Sequence, residues 1–361
     1  TGWRYQIIEH LEKGGGIKMF KKGILLLLML LVVSFMFADE FNVSAGKTYT
    51  LSPAPNANYA DTGTKLTDGS FNFSWGDMVG WDNPVANPTI VVDLGAVFEE
   101  ISYVALKIMY SAPSAVNLPE YFIVSISEDG ELYEDLGMGI TYAEAPVPND
   151  TIATLYWAND EFVGYGRYVK IEVVPGGNAW TMVAEVIVGD GAIPEELGAV
   201  VGGTADLTDA VTVSVGKPYM LIPLSSDAYP DTDSIEVTDG FARYSWADMI
   251  GFDNPAINPT IIIDLLEPTS IVRVSGHFMR SFASAVNLPK SLLIGVSDDG
   301  MEFRNVGLAT ITNPYPAQNE FINEIYWVAV EPVVARYVKI EIRPRGNAWT
   351  MLAEATVWAV K

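Results

Sequence analysis

The sequence predicts an all-β protein built as two tandem β-sandwiches behind an N-terminal secretion segment. Three observations carry that prediction. The chain repeats itself: Ser74-Trp75 returns as Ser245-Trp246, Asp82-Asn83-Pro84 as Asp253-Asn254-Pro255, Arg167-Tyr168-Val169-Lys170 as Arg336-Tyr337-Val338-Lys339, and Asn178-Ala179-Trp180 as Asn347-Ala348-Trp349. The copies keep their order at an offset of 169 to 171 residues, the mark of a duplicated unit. Within each copy the apolar residues come in short β-branched runs, and 31 Gly and 21 Pro punctuate them. After residue 40 there is no long stretch of helical period.

Residues 19–38 begin Met19-Phe20-Lys21-Lys22 and continue as an apolar run ending at Ala38. Two lysines before roughly 15 apolar residues form a secretory signal, shorter than the roughly 20 residues of a membrane-spanning helix. The alternative is an uncleaved N-terminal anchor. Residues 1–18 lie upstream of Met19 and include Lys13-Gly14-Gly15-Gly16-Ile17-Lys18, which back-translates to a purine-rich ribosome-binding stretch. They are expected to be upstream translation, foreign to the native protein. Copy one spans 40–190, a Gly-, Ala- and acid-rich linker spans 191–210, and copy two spans 211–361.

Each copy reads as strands in sequence. Thr89–Asp93 and Thr260–Asp264 are β-branched runs. Tyr121–Ser127 is a strand closed by Glu128-Asp129-Gly130, a turn signal. Tyr168–Val173 alternates polar and apolar, and strands led by Ala184-Glu185 and Ala353-Glu354 end the two copies.

Composition removes several function classes. A net charge of −24 opposes nucleic acid and anionic lipid, both of which demand a basic face. Without Cys there is no disulfide, thiolate metal site, Cys nucleophile or lipid-anchored Cys, and only His10 and His277 are present. A bound metal would be a hard, oxygen-ligated ion, calcium first.

The motifs, in order, resemble the galactose-binding-like jelly-roll sandwich, in particular the discoidin (coagulation factor 5/8 type C) family and related bacterial carbohydrate-binding modules. The markers are Thr67-Asp68-Gly69 before Ser74-Trp75, Asp93-Leu94-Gly95, Leu118-Pro119 leading to Asp129-Gly130, Arg167-Tyr168-Val169-Lys170-Ile171, and the terminal Ala184-Glu185. All recur in copy two, with Asp264-Leu265-Leu266 in place of Asp-Leu-Gly. The resemblance covers essentially all of both copies. The Tyr59-Ala60-Asp61-Thr62 opening is similar to a subgroup found in exported, polysaccharide-associated bacterial proteins.

The resemblance implies a structural calcium held by Asp68 and Glu185 with Ser70 or Ser74 in copy one, and by Asp239, Glu354 and Ser245 in copy two, where Phe241 replaces Ser70. The plainer alternative is that Asp68 and Asp239 accept turn N–H bonds. For a glycan, the expected platform is Trp81 with Asp82 and Asn83, and Phe252 with Asp253 and Asn254, since a ring stacks on the apolar face of a pyranose while amides and carboxylates bond its hydroxyls. Asn178 with Trp180, and Asn347 with Trp349, form a second pairing; the alternative is a Trp closing the sandwich end. Lys107 and Tyr110 of copy one are replaced at the equivalent strand positions of copy two by His277 and Arg280, so if they line a site the two sites are expected to differ in preference. Trp75 and Trp246 match positions that are core in the family.

The function expected is an exported, non-catalytic binder of neutral oligo- or polysaccharide. A structural or adhesive protein touching cell-envelope components is the alternative, and a glycoside-active enzyme with a carboxylate pair the third reading.

Overall fold

The computed structural model describes residues 42–142, 146–159, 164–191, 193–194, 205–232, 234–311 and 318–360. Residues 1–41, on which the expected upstream and signal segments fall, and most of residues 191–210, expected as a linker, lie outside the described residues. Copy one contains β1 (Thr48–Ser52), β2 (Val79–Asp82), β3 (Thr89–Tyr110), β4 (Tyr121–Ser127), β5 (Glu134–Gly139), β6 (Thr141–Tyr142), β7 (Thr151–Ala158), β8 (Gly164–Val174) and β9 (Trp180–Asp190). Copy two contains β10 (Val211–Thr212), β11 (Tyr219–Ile222), β12 (Ile250–Asp253), β13 (Thr260–Arg280), β14 (Ser291–Ser297), β15 (Arg304–Thr310), β16 (Phe321–Arg343) and β17 (Trp349–Val360). Each copy forms its own antiparallel sheet system, as the duplication predicts.

The 22-residue strand β3 serves two sheets. Its first half pairs with β1 and β8, its second with β7 and β9, and register shifts between Asp93 and Ile101 mark the change. Bulges of this kind bend a strand from one sheet into the next. One layer is therefore β1–β3–β8–β4–β5, the other β2–β9–β3–β7–β6. Between them lie Ile90, Val92 and Leu94 of the first half of β3, Leu106 and Ile108 of the second, Phe122 and Val124, and Val183 and Val186. Period-two alternation puts these on the inner faces. Copy two repeats the plan around Ile261, Ile263, Phe278, Leu292, Ile340 and Val357.

β4 is buried at all seven positions. Phe122, Val124 and Ile126 fill the copy-one core, while Tyr121 and Ile123 face the other way and pack on Leu293 of β14. Met138, Val174 and Leu308 surround that contact. The outer surface of the β4-containing layer of copy one thus lies against the equivalent layer of copy two. Each fully buried side chain of this size stabilises by about 1.5–3 kcal/mol.

An ionic cluster sits beside the apolar contact. The carboxylate of Asp135 on β5 is buried and accepts from Ser125 Oγ (2.7 Å), from Ser291 Oγ (2.6 Å) and from Arg343 Nε (3.0 Å). Arg343 Nη2 also donates to Glu172 Oε2 at 3.3 Å, and Arg345 pairs with Glu134. Burial alone would raise the Asp135 carboxyl; Arg343 and the two hydroxyls more than offset that and hold it below the ordinary range.

Candidate functional site

The exposed face of the β2–β9–β3–β7 layer in copy one carries a cluster of rings. β9 begins at Trp180, whose side chain packs with Met78, Met109, Val116, Met182 and Tyr59. Tyr59 ends a short helical turn, Ala57–Tyr59, capped by Asn56, whose side chain accepts from Asn58 N. Gly80 leaves room for it, because a Cβ there would meet Tyr59 and Met182. Tyr59 meets Trp180 edge to face at 5.1 Å and Trp75 at 6.0 Å, and Trp75 meets Phe73 edge to face at 6.3 Å. Phe71, Phe73 and Trp75 are 44%, 39% and 38% exposed, a run of alternating rings in the segment after Asp68-Gly69. The Lys107 ammonium lies 4.8 Å from the Phe71 ring centre and donates to Thr154 Oγ1 at 2.9 Å.

Copy two keeps the frame and changes the chemistry. Tyr229 meets Trp246 at 5.7 Å and Trp349 at 5.3 Å. Phe241 and Phe282 are exposed, and the guanidinium carbons of Arg243 and Arg280 lie 4.0 Å and 4.3 Å from their ring centres. Tyr244 and Ser281 both donate to Glu320, which ties the loops together. Further along this face Glu324 accepts from Arg273 at 2.8 Å, and His277 Nε2 lies 3.8 Å from it. Burial pushes the His277 imidazole down, while Glu324 pulls it back.

No family model matches the chain, and no curated protein matches it. Solved structures are similar in fold. One is an F-lectin (fucolectin) from striped bass serum, at 18% identity, covering 89% of this chain and 98% of that one, TM-score 0.32. Another is the pair of CBM32-1 and CBM32-2 domains of Clostridium perfringens ZmpB, at 10% identity, covering 89% and 95%, TM-score 0.31. A third is allantoicase from Saccharomyces cerevisiae, at 12% identity, covering 88% and 92%, TM-score 0.30.

The structure exchanges the roles expected of two tryptophans. Trp81 is 2% exposed, points into the copy-one core and donates its indole N–H to the Pro53 carbonyl at 2.9 Å. Phe252 is 3% exposed in the copy-two core. A ring so enclosed offers no face to a sugar. Trp75, expected in the core, is on the surface, and Trp246 is half-buried. Asn83 and Asn254 adopt left-handed turns at φ 41° and 38°. Asn254 Oδ1 accepts from Asn347 N at 2.8 Å, so its side chain serves loop closure. Asp82, Asp253, Asn178 and Asn347 are exposed at the loop ends, and Asp82 lies opposite Trp180 in the β2–β9 ladder. Tyr110 is half-buried at the end of β3. Sequence reasoning gave no site role to Tyr59, Phe71 or Phe73; the Phe71-Asn72-Phe73-Ser74-Trp75 alternation in a loop was the available signal.

The Asp-Gly turn and the terminal Glu expected at calcium come together in each copy. Glu185 and Glu354 are buried, and each accepts through Oε1 from the glycine of an Asp-Gly turn, Gly69 N and Gly240 N, both at 3.1 Å. Their Oε2 atoms are buried with no partner in either copy. Burial, with a further push from Asp68 or Asp239, raises each carboxyl to about 8. A buried carboxylate oxygen left bare twice, beside a second carboxylate, fits a hard cation. Asp68 and Asp239 also accept the turn N–H of Ser70 and Phe241, so the plainer role is present as well. Among the described residues no three acidic or imidazole groups converge, so backbone carbonyls would complete such a shell.

Proposed function

We propose that the protein binds neutral oligo- or polysaccharide, without catalysis, through the exposed ring cluster of each copy. The observation that carries this reading is the joined Tyr59–Trp75–Phe73 surface beside Trp180, with Asp82 and Asn178 at its rim. Partly exposed rings offer flat apolar faces to a pyranose, and the rim groups suit its hydroxyls. The acidic chain favours an uncharged ligand, since anionic polymers are repelled. Lys107 in copy one and the Arg–Phe pairs in copy two give the sites different preferences. Asp68 and Glu185, and Asp239 and Glu354, would hold calcium that fixes the ring-bearing loops to β9 and β17; Ser70, Ser74 and Ser245 stand in those loops. An exported protein with a signal at 19–38 would meet such polymers outside the cytoplasm.

The test is affinity electrophoresis in gels containing galactan, mannan, xylan or β-glucan. Retardation is expected in at least one. Trp75→Ala should weaken it with little change in melting temperature, whereas Trp81→Ala should destabilise copy one by about 3–5 kcal/mol. Migration unchanged by all four polymers removes the reading.

A further inference from the structure

The two ring clusters lie on opposite outer faces of one stack of sheets, and from this we infer that the protein bridges two glycan chains instead of gripping one twice. The inference rests on the glycan reading above. Its geometric part is independent of that reading and comes from strand order.

In copy one the core lies between the β4-containing layer and the β2–β9–β3–β7 layer. The first of these turns its outer surface to copy two through Tyr121, Ile123 and Leu293. The ring cluster, anchored by Met109 on β3 and Met182 on β9, lies on the outer surface of the second. Copy two is built alike: Met279, Met351, Tyr229, Trp246 and Trp349 cluster on the β12–β17–β13 layer, while β14 and β15 meet copy one. The molecule is therefore four sheets deep. Its inner pair is pressed together, and its outer pair carries the rings. Packed sheets are spaced about 10 Å apart, so the ring-bearing layers are separated by about 30 Å of protein and face away from each other.

The inner contact sets this arrangement. Asp135 is buried with three donors, two of them from copy two, and such a group cannot leave its partners cheaply. A swinging linker would let both sites reach one polymer surface; this contact denies it. A surface coated with one glycan then engages one copy and leaves the other pointing outward to capture a second chain.

The experiment uses the full protein and a mixed suspension of beads, each coated with galactan, mannan, xylan or β-glucan. Wild type should clump the beads, with clumping reversed at excess protein as single occupancy takes over. Trp75→Ala and Trp246→Ala, each disabling one site, should abolish clumping yet remain retarded in the polysaccharide gels. On a planar film of the polymer that its intact site binds, each single variant should lose no more than about twofold in retention, because the sites never engage one surface together. Sites that gripped one surface would lose roughly 10²–10⁴-fold. Phe73→Ala and Phe241→Ala serve as the second pair should either tryptophan variant fail to fold. Retention without clumping, clumping by single-site variants, or a loss of a hundredfold on the planar film overturns the bridging inference alone. Absence of both retention and clumping in wild type overturns the glycan reading with it.

Discussion

A single exchanged residue shows how far the copies have diverged. In copy one the Lys65 ammonium donates to three backbone carbonyls, Ala60 (3.0 Å), Gly76 (2.8 Å) and Met78 (3.3 Å). The Leu66-Thr67-Asp68-Gly69 motif aligns with Val237-Thr238-Asp239-Gly240, so Glu236 occupies the place of Lys65. An acceptor cannot serve a ring of acceptors. Glu236 turns instead to Thr232 N, its Oε2 has no partner, and it lies against Asp231. Burial first, and Glu236 second, push the Asp231 carboxyl up to about 6. A carboxyl raised in the fold favours the fold while protonated, so Asp231 should cost copy two stability as the pH rises through about 6, while the same contact holds the Glu236 carboxyl below its ordinary value and works the other way at lower pH. Glu236→Lys should remove that dependence. It should also stabilise copy two by up to about 1.5–3 kcal/mol, the worth of a charged donor among carbonyls. Thermal melts of both proteins at pH 4.5 and 7.5 check it; a variant no more stable than wild type at pH 7.5 contradicts the argument.

At the scale of elements, the central relation is between the ring-bearing loop and the last strand of each copy. Gly69 and Glu185, 116 residues apart in sequence, are joined by one hydrogen bond beside an unpaired carboxylate oxygen. If calcium fills that place, its removal should loosen Phe71–Trp75 before the cores. EDTA is then expected to lower the melting temperature, and calcium at a hundredfold over Kd to restore about 2.7 kcal/mol. Glu185→Gln should erase the copy-one share; identical melts with EDTA and with calcium would mean no stabilising ion. The duplication and most strands were legible in the sequence, because repeats, period-two alternation and turn residues are local signals; the approach of the Asp68-Gly69 turn to Glu185 was implied only by the family resemblance. The orientation of Trp81 was not. β2 is only four residues long, and its Val79-Gly80-Trp81-Asp82 stretch reads as loop until β9 pairs with it. Burial of β4 on both faces had a visible sign, a continuous apolar start instead of alternation. What covers its second face, a partner 170 residues away, leaves no local mark.

The whole molecule depends on whether two self-sufficient cores act as one body. Each copy has its own core, so a cut in the 191–210 linker should leave two fragments that fold. Their contact is small and apolar at Tyr121, Ile123 and Leu293, and ionic at Asp135. Removing one partner of a buried pair leaves the other charge uncompensated, which costs about 3–5 kcal/mol. Asp135→Ala should strip Arg343 of its buried acceptor while leaving Glu172 beside it, so the loss falls on the contact and spares both cores. Wild type is expected to unfold in one calorimetric transition near pH 7, and Asp135→Ala in two. Acid should act in the same direction. The Asp135 carboxyl sits below its ordinary value in the fold, so its contribution is complete above about pH 4 and fades as the pH falls through that lowered value. Wild type should then change from one transition to two as acid is added, while Asp135→Ala shows two throughout. A single transition in the variant at neutral pH would place the coupling in the apolar contact and deny the carboxylate its role in joining the copies.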